Sequence, residues 1–360
     1  MNHFSQIRKQ LSAKGIDAML VTSASNVFYA SAFHTTGEGD ALVLVTEKST
    51  TFITDSRYSE AAAAQVQDAE IIIRENAAPY VTHLKEIIQR EGFSKLGFED
   101  AALTVKDFQE YKDALPCEFV PASELLLQLR QSKDADEIAH MKAAQAIAEK
   151  ALLQLLEEIR PGMTEKEIAA RLQYLMLLGG AERMSFDPII ASGPNSSMPH
   201  AVPTDRRIRE GDFLTIDYGC VFNGYCSDTT RTVAVGHATE EMEKVYYTVL
   251  EAQMAGIAIA KAGVIGKAVH QAALDVITRA GYGEYFGHGY GHSLGIEIHE
   301  APYFNLRNDK PMPLHAAVSA EPGIYLPGKF GVRIEDVIIL DEDGCEDITT
   351  LPKDLRILPV

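Results

Sequence analysis

Apolar and polar residues alternate along the first third of the chain in short segments that predict both helices and strands. Phe4, Ile7 and Leu11 recur at helical spacing, and Gly15 follows them as an end signal. Helices are also predicted near residues 60–66 and over 81–88. Short apolar runs predict strands at residues 18–21, 41–45, 51–53, 70–73 and 95–98. This alternation predicts a small α/β domain over residues 1–125.

The pattern changes after this first domain. Residues 125–133 are interpreted as a short linker, and residues 134–158 then carry apolar side chains on one face of a long predicted helix. A chain of 360 residues suggests two domains if each takes about 150 residues. We therefore expect a second domain over residues 126–360.

The second domain contains a weak internal repeat. IRPGMTEKEIAARLQYLMLLGGAE begins at Ile159, and AKAGVIGKAVHQAALDVITRAGYG begins at Ala260, an offset of 101 residues. Gly180 of the first copy matches Gly281 of the second. Each copy follows a long helix and precedes strands, which predicts a pseudo-symmetric α+β domain with a site between its halves.

Composition and charge exclude several classes of function. The net charge of −18 would repel phosphate backbones, so nucleic acid is not an expected partner. The first residues lack the apolar core of a signal peptide, and no apolar run is long enough to span a membrane. The four cysteines form no Cys-x-x-Cys pair. We expect a cytoplasmic protein with reduced thiols and no membrane partner.

Two aspartates are predicted to share one face of a β-hairpin. Residues 213–221 and 225–233 have the pattern of strands, joined by an Asn223-Gly224 turn. In that register Asp228 faces Gly219, and Asp217 lies two residues along on the same face. Two carboxylates that converge on one face repel each other unless a cation lies between them, so the pattern predicts a cation site. The alternative interpretation is that both aspartates lie on a solvated face of the sheet.

Further carboxylates and histidines follow at positions expected to face inward. A glycine-rich loop contains two histidines, another histidine comes seven residues later, and two glutamates lie in apolar strand segments. These residues are His288, His292, His299, Glu321 and Glu335, with Arg333 on the strand face of Glu335. With the aspartates they provide four carboxylates and three histidines. Four carboxylates and one histidine form the ligand set of a dinuclear Mn²⁺, Co²⁺ or Zn²⁺ site.

As an ordered set, these motifs resemble the pita-bread metallopeptidases, which include methionine aminopeptidase, aminopeptidase P and prolidase. FLTIDYG and SDTTRT resemble the two-aspartate hairpin, GHGYGHSLGIEIHE the histidine loop, and EPGIY and VRIED the two glutamate segments. SNVFYASAF and ITDSRY, in the first domain, resemble the amino-terminal domain of the creatinase, prolidase and aminopeptidase P branch. The resemblance implies a pita-bread catalytic domain with pseudo-twofold αα-β halves, preceded by a smaller α/β domain.

The same resemblance assigns expected roles to individual residues. The implied metal ligands are Asp217, Asp228, His292, Glu321 and Glu335. The implied catalytic residues are His200, His288, His299, Glu321 and Arg333. The implied substrate-binding residues are His200, His288, His299, Tyr325 and Arg333. Two divalent ions are the implied cofactor, with Mn²⁺ as the first choice and Co²⁺ or Zn²⁺ as alternatives.

The expected activity is exopeptidase cleavage of Xaa-Pro bonds at the amino terminus of peptides with proline at the second position. The first choice that the resemblance implies is the aminopeptidase P type, acting through a metal-bridging hydroxide, and an Xaa-Pro dipeptidase, or prolidase, is the alternative. A creatinase-like hydrolase and a non-catalytic binding protein are further alternatives, against which the intact ligand set argues. A homodimer or larger assembly is expected, in which one amino-terminal domain narrows its neighbour's active site.

Overall fold

The computed structural model describes residues 2–75 and 78–360. The chain divides into two units, Met1–Arg130 and Gln131–Val360. The division lies inside the segment that the sequence predicted as a linker.

The first unit contains helices on both faces of one sheet. Its helices are α1 (Phe4–Leu11), α2 (Ala24–Ser31), α3 (Ser59–Gln65), α4 (Tyr80–Glu91), α5 (Val105–Ala114) and α6 (Ser123–Gln131). Its strands are β1 (Ala18–Val21), β2 (Ala41–Thr46), β3 (Thr50–Asp55), β4 (Glu70–Arg74), β5 (Lys95–Phe98) and β6 (Glu118–Pro121). The strand order is β4-β3-β2-β1-β5-β6, with antiparallel pairing of β1 to β2 and β2 to β3 and parallel pairing elsewhere. This arrangement confirms the predicted α/β domain.

Elements that lack an amphipathic pattern escaped the sequence analysis. Six of the eight residues of α2 are buried, so the helix has no polar face to mark its period. In contrast, α5 buries none of its residues fully, and only the half-buried Phe108 and Tyr111 mark its packed face. The apolar stripe that the sequence did show, Phe4, Ile7 and Leu11 of α1, is buried as predicted.

The predicted linker is wrong, because most of residues 125–133 belong to α6. Leu125 and Leu126 are buried in the hydrophobic cluster that also contains Phe4 and Val43 of the first unit. Burial of these leucines favours a helix packed on its own unit over a solvated connection.

The second unit contains two helix pairs that repeat at the predicted offset. These helices are α7 (Ala135–Glu158), α8 (Glu165–Leu178), α9 (Glu240–Ile257) and α10 (Gly266–Arg279). Both ends of α10 lie 101 residues after those of α8, since 266 − 165 and 279 − 178 are equal. The matched glycines Gly180 and Gly281 follow the helices with φ of 105° and 89°, in the left-handed region that favours glycine. The repeat in the sequence is therefore a repeat of structure.

Four sheets accompany these helices. The strands are β7 (Arg183–Met184), β8 (Ile189–Ser192), β9 (Phe213–Tyr218), β10 (Cys220–Phe222), β11 (Tyr225–Cys226), β12 (Thr229–Val235), β13 (Gly291–Ser293), β14 (Glu300–Phe304), β15 (Ala317–Ala320), β16 (Gly323–Leu326), β17 (Phe330–Arg333), β18 (Asp336–Leu340), β19 (Cys345–Asp347) and β20 (Ile357–Leu358). The larger sheets have the orders β20-β12-β9-β8 and β14-β13-β15-β18-β19. The smaller ones are β11-β10-β7 and β16-β17.

Each helix pair packs on its own sheet. Leu152 of α7 and Leu172 of α8 share a buried cluster with Ile216 of β9. Val249 of α9 shares a second cluster with Val318 of β15, which also receives side chains of α10 and β18. The predicted α+β fold with pseudo-twofold αα-β halves is confirmed. None of the helices among the described residues combines the length and the apolar character needed to cross a membrane.

Candidate metal centre

The two aspartates are positioned by the hairpin that the sequence predicted. Asn223 and Gly224 have φ of 46° and 78°, as a tight turn of this kind requires. Thr230 pairs with Asp217 and Val221 pairs with Cys226, so the predicted register is confirmed.

The two predicted strands are each broken in two near the aspartates. Regular pairing stops at Gly219 on one side and at Ser227 and Asp228 on the other. A Cβ atom at Gly219 would lie 2.0 Å from the carbonyl oxygen of Ser227, so glycine permits this close approach. Asp228 therefore projects from a break between two short strands, and not from a continuous one.

Glu335 reaches the aspartates through Thr230. The Glu335 amide donates to the Thr230 carbonyl over 3.1 Å, and the Thr230 hydroxyl donates to Glu335 Oε2 over 2.6 Å. Ligand-type atoms of Asp228, His292 and Glu335 lie within 4.8 Å of one another. The structure thus brings residues from three separate segments into one cluster.

His292 and Glu321 complete this cluster. His292 Nε2 lies 3.6 Å from Asp228 Oδ2 and 3.3 Å from Glu321 Oε1. The other ring nitrogen, Nδ1, lies 3.2 Å from the Ser293 carbonyl, which can only accept, so Nδ1 carries the proton in the neutral ring. Nε2 is then the lone-pair nitrogen that faces the carboxylates, as a metal-binding histidine requires.

Ser319 connects these two residues and was missed by the sequence analysis. Its hydroxyl accepts from the His292 amide over 3.0 Å and donates to Glu321 Oε1 over 3.1 Å. Ser319 lies two residues before Glu321, and Thr230 lies two residues after Asp228. The period-two alternation of a strand was the signal that could have found both.

The electrostatics of the cluster fit divalent cations. Burial, followed by repulsion from Asp217, raises the pKa of Asp228 well above its usual range. Burial and repulsion from Asp228 raise the pKa of Glu335 in the same way, and burial raises the pKa of Glu321. Asp217 Oδ1 is buried without a hydrogen-bond partner among the described residues. Buried carboxylates that repel one another and leave an oxygen unsatisfied are stabilised by a bound metal ion.

Arg333 supplies positive charge beside this cluster. Its Nη2 donates to Asp217 Oδ2 over 2.5 Å, its Nη1 donates to the Tyr325 hydroxyl over 2.9 Å, and its Nε donates to the Thr230 hydroxyl over 3.0 Å. Nη1 also lies 3.3 Å from the Pro199 carbonyl. Most of the guanidinium donors are therefore held by the protein itself, and the side chain orients Asp217.

His288 forms a hydrogen-bonded chain with Tyr325 and Arg333. His288 Nδ1 donates to the Gly289 carbonyl over 2.8 Å, so Nε2 accepts from the Tyr325 hydroxyl at 2.9 Å in the neutral ring. Burial lowers the pKa of His288, as it does that of His299. Both imidazoles are therefore neutral at pH 7.

A cavity of about 540 Å³ brings nearly all of the predicted site residues together. Its lining includes the predicted metal ligands, the other predicted histidines and Arg333, whereas Tyr325 lies behind them. His299 packs edge-on against His292 with ring centroids 4.3 Å apart, and His200 is exposed on a loop. The apolar wall, which includes Phe186, Ile298 and Tyr303, was not predicted because no polar motif marks it.

The fold and this site define the class of protein. Residues 139–342 match the metallopeptidase family M24, and residues 4–132 match the creatinase/prolidase N-terminal domain. This chain belongs to metallopeptidase family M24 and combines the pita-bread catalytic domain with a creatinase-type amino-terminal domain.

Individual relatives match nearly the full length. A solved Xaa-Pro dipeptidase from Bacillus anthracis is 42% identical with a TM-score of 0.94, and the match covers 99% of each chain. A solved X-Pro aminopeptidase from Thermotoga maritima MSB8 is 38% identical with a TM-score of 0.91, covering 97% of this chain and 99% of the other. An Xaa-Pro dipeptidase from Pyrococcus furiosus is 34% identical over 354 residues, which is 96% of this chain and 97% of the relative.

These matches confirm the predicted family, fold class and enzyme class. Membership in a metallopeptidase family also implies divalent metal ions. The role of each site residue, the identity of the ions, the oligomeric state and the compartment stay predictions.

Proposed function

We propose that this chain is an Xaa-Pro dipeptidase, which hydrolyses the bond between an amino-terminal residue and a following proline. The sequence had placed this activity second to an aminopeptidase. The order changes because Xaa-Pro dipeptidases from both Bacillus anthracis and Pyrococcus furiosus match this chain over nearly its full length. The observation that carries the proposal is the buried cluster of carboxylates and His292 at one wall of the cavity.

The proposed metal-binding residues are Asp217, Asp228, His292, Glu321 and Glu335, and Mn²⁺ is the expected ion. Bound divalent ions would lower the pKa of a water molecule, so that it becomes a nucleophile near neutral pH. They would also act as a Lewis acid on the substrate carbonyl. The four carboxylates carry four negative charges, and the buried Arg333 guanidinium compensates one of them. The remaining three negative charges are balanced better by two divalent ions than by one.

Glu321 is the proposed acid–base residue. Burial raises the pKa of its carboxyl group, so this group accepts a proton more readily than an exposed glutamate does. The Ser319 hydroxyl fixes Oε1 by a hydrogen bond of 3.1 Å, and the lone pair of His292 Nε2 lies 3.3 Å from the same oxygen. The other oxygen is then oriented for proton transfer from the attacking water to the proline nitrogen.

The neutral His299 is the proposed partner of the scissile carbonyl. An imidazole N–H that points at this oxygen stabilises the negative charge that develops there without adding a net charge to the site. His299 lies beside His292 at the cavity wall and suits this role. His288 is held by Tyr325, which places it beside Glu321 for contact with the proline residue.

An aminopeptidase that removes the first residue of longer peptides is the second candidate. Its specific support is the match of nearly equal quality to the X-Pro aminopeptidase of Thermotoga maritima MSB8. Both candidates share the chemistry and differ in the length of substrate that they accept.

Matched peptides would test the proposal. We expect hydrolysis of Leu-Pro at a higher kcat/KM than Leu-Pro-Gly-Gly, and little hydrolysis of Leu-Ala. Faster cleavage of the tetrapeptide would favour the aminopeptidase, and equal cleavage of Leu-Ala would remove the proline specificity. Removal of metal by a chelator should abolish activity, and Mn²⁺ should restore it; activity that survives metal removal would point to a metal-free hydrolase.

The predicted assembly is a separate proposal. We expect a homodimer or larger species in the cytoplasm, and light scattering at micromolar concentration would test the assembly. A mass of 39.4 kDa for the whole sample would contradict it.

A further inference from the structure

A buried glutamate lies away from the metal cluster and has no part in the chemistry described above. Glu165 is the first residue of α8 and is fully buried, at 0% exposure. A buried carboxylate is costly unless hydrogen bonds satisfy it. The hydrogen-bond partners of Glu165 therefore indicate which part of the structure this buried carboxylate stabilises.

All of its partners belong to one loop and its flanks. Oε1 accepts from the Ser192 amide and hydroxyl, both over 2.7 Å. Oε2 accepts from the Thr204 amide over 2.9 Å and from the Thr204 hydroxyl over 2.6 Å. The Asn195 amide group lies 3.1 Å from both oxygens. One carboxylate thus joins the residue before the loop of residues 193–203 to the residue after it.

This loop forms part of the active-site wall. Residues 199–203 line the cavity, and they include His200. The Pro199 carbonyl accepts from Arg333, which in turn holds Asp217. The loop therefore connects to the metal cluster as well as to the substrate.

The tip of the loop has little support of its own. Met198 is 50% exposed and Val202 is 78% exposed. Across the described residues, the His200 imidazole makes no hydrogen bond to another side chain or backbone group. Its position consequently depends on the backbone of the loop. Glu165 fixes the two ends of the loop. Between them, the Ser196 hydroxyl accepts from the Gly331 amide over 2.8 Å, and the Pro199 carbonyl accepts from Arg333 over 3.3 Å.

We propose that Glu165 is a positioning residue for catalysis, which acts by holding the loop that presents His200 and the Pro199 carbonyl to the active site. The negative charge suits this place, because the N-terminal end of α8 and the amides of Ser192 and Thr204 all stabilise an anion. In Glu165→Gln, the side-chain NH₂ group would face the amide and hydroxyl donors of either Ser192 or Thr204. The hydrogen bonds at that end of the loop would be lost. This inference rests on the proposed Xaa-Pro hydrolysis.

The test compares Glu165→Gln with Glu167→Gln, an exposed glutamate of the same helix. Because misplacement of a site residue by about 1 Å can cost up to about 10²-fold, we expect kcat/KM on Leu-Pro to fall by about 10- to 10²-fold in Glu165→Gln. Metal content should stay at the parent value. Hydrogen exchange of residues 193–204 should accelerate in this variant, and Glu167→Gln should match the parent in both measurements.

A double-mutant cycle separates positioning from a general loss of stability. If Glu165 positions His200, Glu165→Gln should lower kcat/KM by a smaller factor in a His200→Ala background than in the parent, and the remaining loss then reports displacement of the Pro199 carbonyl from Arg333. Full multiplication of the two losses would overturn the proposal, as would parental activity and exchange in Glu165→Gln.

Thr204→Val gives a milder variant in case Glu165→Gln does not fold. It removes one donor to Glu165 and the acceptor of the Arg206 amide, and it leaves the charge of Glu165 in place. We therefore expect a smaller loss of kcat/KM with faster exchange of the loop. Parental values for both would also overturn the proposal. If the parent protein does not cleave Leu-Pro, the proposed function fails, whereas the exchange measurement still reports whether Glu165 holds the loop.

Discussion

Arg333 Nη2 lies 2.5 Å from Oδ2 of Asp217, and both side chains are buried. The pair joins two strands that are more than a hundred residues apart in the sequence, β17 and β9. Because the other oxygen of Asp217 has no partner among the described residues, the arginine fixes the carboxylate through Oδ2 and leaves Oδ1 available to a cation.

Arg333→Ala should therefore lower activity without loss of metal. We expect kcat/KM on Xaa-Pro substrates to fall by at least about 10²-fold, because a group that orients the site is lost. Removal of a positive charge makes the cluster more negative, so metal content by elemental analysis should not fall. Arg279→Ala, on an exposed helix end, is the control and should behave as the parent does. Loss of metal in Arg333→Ala would contradict this expectation. It would show that Arg333 is needed for binding of the ions, in addition to the orientation of Asp217.

His288→Ala should also lower kcat/KM by at least about 10²-fold, if His288 contacts the substrate in the transition state. Metal content should again stay unchanged. Tyr325→Phe removes the hydroxyl that donates to His288 Nε2 and should cause a smaller loss, of about 10-fold, because the ring remains. Parental turnover by His288→Ala with full metal content would refute the predicted role of this histidine.

Much of the site could be predicted from the sequence because its residues lie in strands, as Asp217 and His292 do, or directly beside a strand end, as Asp228, Glu321 and Glu335 do. Period-two alternation and the Asn223-Gly224 turn fix which side of the hairpin Asp217 occupies, and the register is as predicted. The break at Gly219 could not be predicted, since it depends on the close approach of the Ser227 carbonyl from the facing side of the hairpin. Similarly, the Asp217–Arg333 pair and the burial of α6 arise from packing between segments distant in the sequence.

Asp228→Ala should lose metal and activity together. Asp228 lies within reach of His292 and Glu335 at the centre of the predicted ligand set. We expect about two divalent ions per parent chain, as in other two-metal hydrolases, and a clear deficit in the variant after dialysis. Full occupancy in Asp228→Ala would exclude this residue as a ligand.

Ser319→Ala should shift the pH dependence of activity. The Ser319 hydroxyl donates to Glu321 and lowers the pKa of that carboxyl group, against the larger effect of burial, which raises it. Without the hydroxyl the pKa of Glu321 rises further, so the proton-accepting form is lost at a higher pH as the solution is acidified. The acidic limb of kcat/KM should therefore move to higher pH. Ser293→Ala removes a hydroxyl that donates to the Ala317 carbonyl, and its unchanged profile would serve as the control.

The last prediction concerns His270 and the stability of the histidine loop. His270 lies on α10, its Nδ1 accepts from the Tyr290 amide over 3.1 Å, and its ring stacks on Phe286 with centroids 5.2 Å apart. Burial lowers the pKa of His270 below its ordinary value of 6.5. As the pH falls through 6.5, the unfolded chain takes up a proton at this position before the folded one does, so the neutral ring's contribution to stability is lost.

His270→Asn keeps an acceptor near the Tyr290 amide but does not titrate. It should destabilise the protein by about 1–2 kcal/mol at pH 8 through loss of the ring. The difference in free energy of unfolding between parent and variant should then shrink between pH 7 and pH 5, because the parent alone carries the proton-linked loss. Denaturant titrations at several pH values would measure it, with His237→Asn, exposed on the surface, as the control. A difference that stays constant or widens on acidification would mean that His270 is accessible to protons in the folded state and does not hold the loop through its neutral form.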